Sequence, residues 1–300
     1  MESNLPPGRH LIPMVHDGLD RPYMLQVPPG AAASGAALPL VLELHGRGID
    51  PGRFDQMTGF GKLADEAGFV LAMPAALDEI WNDGRGAGPP EVLRPDDVGY
   101  LSAVLDDVAG RVPIDERRVY VVGMSNGAAM TGRLVCERAD RFAGAGQVAG
   151  TIGAEIAARF HPARPVPILN IAGSADRVAP YEGGVRRGLL SRAMIRHAAG
   201  PSLGVDEWAQ LWVDANGAQD GPATTTLPPD TAIRTWHGPT PSPDVVFYRI
   251  EGAGHTWPGS RFTLPAFLFG RTTRTFDGAT VIWEFFAAHA GPAAGNRRTG

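Results

Sequence analysis

The chain has 300 residues, of which 44% are hydrophobic and 20% are charged, a composition typical of one large globular domain. Its net charge is −5 and no run of Lys or Arg stands out, so neither nucleic acid nor an anionic membrane surface is an expected partner. A single cysteine, Cys136, excludes an intramolecular disulfide and any CxxC metal or redox site.

The N-terminal segment 1–18 lacks the basic start and apolar run of a signal peptide, and no apolar stretch approaches the roughly 20 residues of a membrane span. We therefore expect a cytoplasmic protein as the sequence stands, with an extracellular location as the alternative if a leader has been removed. Residues 1–300 are predicted to form a single domain, with its core at about 8–289 and a disordered tail at 290–300.

Short apolar runs alternate with helical patterns, which predicts a mostly parallel central sheet with helices on both faces. The predicted strands are an antiparallel edge strand at 23–29, followed by 39–46, 69–75, 118–123, 143–150, 167–173 and 245–252. The predicted helices are 96–112, 126–139 and 276–289. Clusters of Gly, Pro and Thr break the pattern at 183–243 around one helical piece, which predicts an irregular excursion over one edge of the sheet.

Ser125 lies between two glycines in GMSNG, just after the predicted strand 118–123 and directly before the predicted helix 126–139. A G-x-S-x-G motif in this context predicts a sharp turn that exposes the serine as a nucleophile. Because the chain contains 39 glycines, the motif could also arise by chance, and Ser125 would then be a small turn residue. The strand before it and the helix after it favour the nucleophile.

A serine nucleophile needs a histidine base within hydrogen-bond reach and an acid that orients this base. His255 is the predicted base, because it lies on a loop directly after the predicted strand 245–252. His237 follows no predicted strand and His197 falls inside the irregular excursion. His289 ends the last predicted helix, where the helix dipole gives it a sufficient structural role.

Asp176 is the predicted acid, because it follows the buried strand 167–173 and precedes His255 in the chain. An Asx turn with its own backbone is the alternative explanation for this aspartate. Asp206 and Glu207 come later, but they open a predicted helix, where acidic residues stabilise the N-terminus.

Two backbone N–H groups must bind the oxyanion that forms when a serine attacks a carbonyl carbon. The sequence offers the N–H of Asn126, directly after the nucleophile, and the N–H of Arg47 in LHGRG, at the end of the predicted strand 39–46. The Arg47 side chain either reaches solvent or pairs with an anionic group of the substrate. His45 is predicted to brace this loop.

These residues belong to a set of blocks that together resemble the polyhydroxybutyrate depolymerase and feruloyl esterase family of α/β-hydrolases. The blocks span about residues 8–289 and read LHGRG, WNDGR, DDVGYL, RVYVVGMSNGAAMTGRLVCE, GSADRVAPYEGG, EGAGHTWPG and FDGATVIWEFF. The resemblance implies an α/β-hydrolase fold with a triad and an oxyanion hole at the positions already singled out: Ser125, Asp176, His255, Arg47 and Asn126.

The resemblance also implies that Trp81 and Trp257 are walls of the substrate pocket, with burial as core aromatics as the alternative. The chain departs from the family at Ala218, where many members have a disulfide-bonded cysteine, and at SNGAAM, where many have SNGGMM. Family members that act on solid polyester usually carry a leader and a further binding domain, neither of which is found in this sequence, so a soluble substrate is expected.

The expected function is therefore that of a serine carboxylesterase acting through an acyl-enzyme on soluble hydroxyalkanoate oligomers or small polyester fragments. A feruloyl or acetylxylan esterase is the first alternative, and a peptidase or dienelactone hydrolase with the same motif is another. A non-catalytic binding protein is disfavoured by the complete set of candidate residues. No metal and no organic cofactor is expected, since HExxH, P-loop and GxGxxG motifs are absent from the sequence.

Overall fold

The structure is a computed structural model that describes residues 5–30, 36–86, 94–184, 200–238, 244–262 and 265–290. Two sequence-based expectations fall outside this range. His197 belongs to a part of the predicted excursion that is not described, and the tail predicted at 290–300 lies outside the described residues from residue 291 onwards.

The secondary structure follows the chain in an alternating order. The strands are β1 (Gly8–Ile12), β2 (Val15–His16), β3 (Leu19–Asp20), β4 (Tyr23–Val27), β5 (Leu38–Leu44), β6 (Val70–Pro74), β7 (Ile114–Met124), β8 (Gly144–Val148), β9 (Ile168–Gly173), β10 (Asp220–Leu227), β11 (Thr231–His237) and β12 (Val245–Ile250). The α-helices are α1 (Pro51–Thr58), α2 (Phe60–Ala67), α3 (Asp97–Arg111), α4 (Asn126–Glu137), α5 (Ala154–Ala157), α6 (Val205–Asn216), α7 (Ala266–Phe269) and α8 (Gly278–Ala288). Two 3₁₀ turns cover Leu77–Glu79 and Ala139–Arg141.

Ten of these strands form one sheet in the order β1-β4-β6-β5-β7-β8-β9-β12-β11-β10, and β2 and β3 form a separate hairpin. The six central strands from β6 to β12 run parallel, whereas the two outer strands at each edge are antiparallel. Side chains of α3, α4 and α6 form the core on one face, and those of α1, α2 and α8 form it on the other. This arrangement confirms the predicted mostly parallel sheet with helices on both faces.

The central strands are recognisable in the sequence because they are buried on both sides. Val70–Pro74 and Ile168–Gly173 are buried at every position, and each is a nearly continuous apolar run. A parallel strand covered by helices on both faces is expected to have this pattern rather than an alternation of apolar and polar residues.

Two predictions about the edges of the sheet are wrong. Tyr23–Val27 is antiparallel but internal, because Gly8–Ile12 pairs with its outer side. The predicted irregular excursion contains the hairpin of β10 and β11, which adds two antiparallel strands to the opposite edge. β10 contains Pro222 and three threonines and is exposed at seven of its eight positions, so it lacks the apolar pattern of a strand; an edge position tolerates proline.

Glu43 in β5 is a buried carboxyl group on the face covered by α1. Its Oε1 accepts a hydrogen bond of 2.6 Å from Thr58 Oγ1, and its Oε2 has no hydrogen-bond partner among the described residues. Burial raises the pKa of Glu43 well above its usual range, and the nearby Asp55 carboxylate raises this pKa further. Glu43 is therefore expected to keep its proton in the folded protein to a higher pH than an exposed glutamate does.

Replacing Glu43 by glutamine is expected to stabilise the protein increasingly as the pH rises. Above the ordinary pKa of 4.5 the unfolded wild type releases a proton that the folded state retains, so its free energy of unfolding falls by up to about 1.4 kcal/mol per pH unit until the folded pKa is reached. Glu43→Gln abolishes this loss. Urea unfolding of both proteins between about pH 4 and pH 7 measures the difference.

The matched control is Glu66→Gln, because the Glu66 side chain is exposed and forms only a surface pair with Lys62. Its stability difference from the wild type should change little over the same pH range. A Glu43→Gln difference that is equally independent of pH would contradict a raised pKa of Glu43.

Candidate active site

The candidate active site lies where the central parallel strands reach their carboxyl ends. Ser125 follows β7, Asp176 follows β9 and His255 follows β12. In a parallel sheet these ends share one edge, so loops that are far apart in the sequence meet there.

His255 lies between the other two residues of the predicted triad. Its Nε2 is 2.8 Å from Ser125 Oγ, and its Nδ1 is 2.7 Å from Asp176 Oδ2. His255 and Asp176 are buried, whereas Ser125 is half-buried. Because a carboxylate only accepts hydrogen bonds, this network assigns the imidazole proton to Nδ1 and leaves Nε2 to accept from the Ser125 hydroxyl. The structure thus brings the three predicted residues together.

Ser125 occupies a strained turn between β7 and α4, with φ 59° and ψ −116°. The two glycines that flank it are required for steric reasons. A Cβ on Gly127 would collide with the carbonyl oxygen of Leu44, and a Cβ on Gly123 would collide with that of Gly127. The backbone N–H of Ser125 donates to Val148 O in the neighbouring strand, at 2.9 Å. The turn therefore holds the serine in a conformation that side chains rarely adopt.

Asp176 is fixed by its own loop, which is also joined to the loop of His255. Its Oδ1 accepts hydrogen bonds from the backbone N–H groups of Val178 and Ala179, at 2.6 and 2.8 Å. The neighbouring Ala175 N–H donates to Ala253 O at 2.9 Å. One carboxylate oxygen is thereby held by the backbone, so the other faces the imidazole.

One predicted oxyanion donor, Asn126, follows the nucleophile in the chain, and the other, Arg47, lies on a loop that approaches the nucleophile in space. Gly46 is close to Ser125, since a Cβ on it would be 3.7 Å from Ser125 Cβ, and Arg47 follows directly. Asn126 is the first residue of α4, and the first N–H groups of a helix have no intrahelical acceptor. Burial lowers the pKa of the half-buried Arg47 guanidinium, although the nearby Asp83 carboxylate opposes this effect.

His45 braces the loop before Arg47, in agreement with its predicted structural role. Its Nε2 accepts a hydrogen bond from Ala76 N at 3.0 Å, so the proton is on Nδ1, which donates to Gly46 O at 2.7 Å. Burial lowers the pKa of His45, which favours this neutral imidazole.

The expectation that Trp81 and Trp257 line a substrate pocket is corrected by the structure. Their exposed fractions are 0% and 1%, so neither indole presents a face to a ligand. Trp257 packs edge-on against Phe54 and Phe60, with ring centroids 6.0 and 6.1 Å apart. The indole of Trp81 is tilted against the imidazole of His45, at 5.1 Å. Both tryptophans are core aromatics.

The buried polar contacts of the WNDGR block were not predicted from the sequence. Asp83 accepts a hydrogen bond of 2.6 Å from Asn126 Nδ2 and forms an ion pair with Arg85. The backbone N–H of Asn82 donates to Asp97 Oδ2, also at 2.6 Å. The acidic and amide residues were visible in the sequence, but no local pattern links partners that are more than 40 positions apart, as Asp83 and Asn126 are.

The alternative histidines and acids that the structure describes are not brought to Ser125. His237 is the last residue of β11, a strand that was not predicted. However, His237 and His289 both contact Asp244, at 3.1 and 3.3 Å. Asp206 pairs with Arg234.

Glu207, the other acidic alternative, accepts from Gly204 N at the start of α6, as expected for an acid in the first turn of a helix.

Among the described residues, one group could offer three ligand atoms to a cation, and it consists of His16, Asp17 and Asp96. This group comes from the β2–β3 hairpin and the start of α3, not from the triad loops. In the described part of the chain, no helix has the length and apolar character needed to cross a membrane.

Comparison with known proteins identifies the family. The family model for esterase PHB depolymerases matches residues 21–179. The chain is also 33% identical over 278 residues to the protein named "Putative esterase NocK" from Nocardia uniformis subsp. tsuyamanensis, an alignment that covers 89% of this chain and 79% of that protein. The chain therefore belongs to the esterase PHB depolymerase family, and it is an enzyme of the carboxylic ester hydrolase class.

A more distant relative and a solved structure extend this result. Feruloyl esterase B of Piromyces equi is 26% identical over 241 residues; the alignment covers 78% of this chain but 42% of that protein. The structure of an acetyl xylan esterase from Aspergillus awamori superimposes with a TM-score of 0.64 at 14% identity, covering 94% of this chain and 99% of that chain. This similarity confirms the predicted α/β-hydrolase fold.

Proposed function

We propose that the chain is a serine carboxylesterase that forms an acyl-enzyme, with Ser125 as the nucleophile, His255 as the general base and acid, and Asp176 as the group that orients His255. The observation that carries this proposal is the position of the His255 imidazole. It lies 2.8 Å from Ser125 Oγ and 2.7 Å from Asp176 Oδ2, within hydrogen-bond reach of both.

In the acylation half-reaction, His255 Nε2 takes the proton of the Ser125 hydroxyl as Oγ attacks the carbonyl carbon of the ester. The N–H groups of Arg47 and Asn126 bind the resulting oxyanion. The tetrahedral intermediate then collapses, the bond from the carbonyl carbon to the alcohol oxygen breaks, and the imidazolium gives its proton to the departing alcohol. Asp176 stabilises the imidazolium throughout.

The deacylation half-reaction repeats these steps with water. His255 takes a proton from the water molecule, the hydroxide attacks the acyl carbon, and the proton returns to Ser125 Oγ as the carboxylic acid leaves. The half-buried position of Ser125 gives water access to the acyl group.

The proposed substrates are soluble hydroxyalkanoate oligomers or small polyester fragments, in accordance with the description of the matching family as esterase PHB depolymerase. Feruloyl or acetylxylan esters of plant polysaccharides are the second candidate. Two relatives favour this candidate: Feruloyl esterase B of Piromyces equi and the enzyme named "Bifunctional acetylxylan esterase/xylanase XynS20E" of Neocallimastix patriciarum, which is 31% identical over 144 residues.

A substrate panel tests the proposal and separates the two candidates. Soluble 3-hydroxybutyrate oligomers, methyl ferulate and acetylated xylan are compared by kcat/KM under the same conditions. We expect the oligomers to be hydrolysed at least tenfold more efficiently than the other two esters, a difference of about 1.4 kcal/mol in transition-state binding. Preference for methyl ferulate or acetylated xylan would replace the first substrate class by the second.

A further inference from the structure

Trp81 connects the two segments that carry the proposed oxyanion donors. Its backbone N–H donates to Asn126 Oδ1 at 2.8 Å, and its carbonyl oxygen accepts from Asn126 Nδ2 at 3.1 Å. Its indole Nε1 donates to His45 O at 2.9 Å. Trp81 has an exposed fraction of 0%, so no water competes for these hydrogen bonds. One buried residue therefore holds both the residue after the nucleophile and the loop that precedes Arg47.

Trp81 acts on the Arg47 N–H through His45, whose ring contacts the peptide plane of Gly46 and Arg47. His45 Nδ1 donates to Gly46 O, and the carbonyl group of Gly46 shares its peptide plane with the N–H of Arg47. In a planar trans peptide the N–H points away from the C=O, so fixing the oxygen also fixes the direction of the N–H. Trp81 holds the other side of His45, at its carbonyl oxygen.

The direction of the Asn126 N–H is also fixed by a hydrogen bond to the carbonyl oxygen of its own peptide plane. The carbonyl oxygen of Ser125 accepts from Ala129 N at 3.0 Å, and this carbonyl shares its peptide plane with the N–H of Asn126. The helix thus sets the direction of this second N–H. The Asn126 side chain, clamped on the Trp81 backbone, ties the start of the helix to the loop that holds His45.

We infer that Trp81 is a positioning residue of the oxyanion hole, which sets the distance between the Arg47 and Asn126 N–H groups. This inference rests on the proposed function, because it assumes that these two groups bind the oxyanion. Oxyanion donors must lie within about 2.7–3.1 Å of the oxygen that becomes charged, and a displacement of about 1 Å can cost on the order of 100-fold in rate. A brace between the two donors is therefore expected to affect the transition state and not substrate binding.

The experiment compares Trp81→Phe with Trp212→Phe. Trp212 is also fully buried, but its Nε1 has no hydrogen-bond partner among the described residues, so its replacement removes the same ring volume without removing a hydrogen bond. Trp81→Phe is expected to lower kcat about tenfold with little change in KM, because oxyanion donors act mainly in the transition state. Trp212→Phe should keep kcat within about twofold of the wild type.

A second readout measures the oxyanion hole directly. An aliphatic trifluoromethyl ketone forms a tetrahedral adduct with a serine nucleophile and places a negatively charged oxygen in the hole. Its inhibition constant should rise in Trp81→Phe by about the same factor as kcat falls, and should not change in Trp212→Phe. A kcat equal to that of Trp212→Phe, or a loss confined to KM, would overturn the inference.

Asn126→Ala extends the test and keeps it decisive if Trp81→Phe does not fold. The variant retains the backbone N–H but loses both hydrogen bonds with the Trp81 backbone and the one with Asp83, so kcat should fall, and the inhibition constant rise, at least as much as in Trp81→Phe. In the double variant the two losses should be less than multiplicative, because both changes disable one brace. Multiplicative losses, or unchanged kcat in Asn126→Ala, would contradict the inference. The activity of the wild type against Ser125→Ala tests the proposed function separately, whatever the outcome for Trp81.

Discussion

Replacing Ser125 by alanine is expected to lower kcat/KM for ester hydrolysis by on the order of 10⁵-fold. The substitution removes the Oγ atom that lies 2.8 Å from His255 Nε2 and leaves the base without a nucleophile to activate. The remaining oxyanion donors and binding contacts support only a small residual rate. Turnover of p-nitrophenyl acetate and p-nitrophenyl butyrate measures the effect, and thermal unfolding shows whether the fold is intact.

Ser102→Ala is the matched control for this substitution. Ser102 is buried on α3, where its hydroxyl donates to Val98 O at 2.7 Å and accepts from Arg138 Nη1 at 2.8 Å, so losing this hydroxyl should leave activity within about twofold. Undiminished activity in Ser125→Ala would refute the assignment of the nucleophile. A hydrolase-fold protein that only binds a ligand would show equal, background turnover in the wild type and in both variants.

The meeting of the three residues proposed as a triad could be predicted from the sequence because each of them has a local signal. Ser125 has the flanking glycines, a strand before it and a helix after it. Asp176 and His255 each follow a buried strand, and parallel strands with covered faces have continuous apolar runs that are easily found. Since the carboxyl ends of parallel strands meet at one edge, the three loops were expected to lie close together without knowledge of any contact.

The surroundings of the triad could not be predicted in the same way. A tryptophan near a catalytic loop has the same sequence signal whether it faces a ligand or the core, so Trp81 and Trp257 were placed wrongly. The brace of Trp81 depends on Asn126, which is 45 positions away, and on His45, which is 36 positions away. Such pairs follow from the packing of the whole fold.

At the edges of the sheet, the sequence signals were either absent or overlooked. The exposed threonines of β10 have no buried side to produce an apolar pattern, which explains why the hairpin was taken for an irregular excursion. The helix α1 is a different case, because it was not predicted although its sequence has a clear start signal. Asp50 accepts a hydrogen bond from Arg53 N as the N-cap, and Pro51 occupies the first turn, a combination that marks helix starts.

Replacing Asp176 by asparagine is expected to lower kcat by about 10⁴-fold with little change in KM. The structure determines how the new amide must lie. Oδ1 of Asp176 accepts from the N–H groups of Val178 and Ala179, and only the amide oxygen can take over both hydrogen bonds. The NH₂ group must then face His255 Nδ1 and donate to it. The imidazole must then carry its proton on Nε2. In this tautomer Nε2 can no longer accept the proton of the Ser125 hydroxyl.

Asp206→Asn is the control, because Asp206 is the acid that the sequence left as an alternative and its side chain is exposed beside Arg234. It should retain activity within about twofold of the wild type, since a surface ion pair contributes little to stability. Equal losses in the two variants would refute Asp176 as the orienting acid. A loss in Asp176→Asn that appears mainly in KM would also refute it, because an orienting acid acts on the proton transfers of the transition state and leaves substrate binding unchanged.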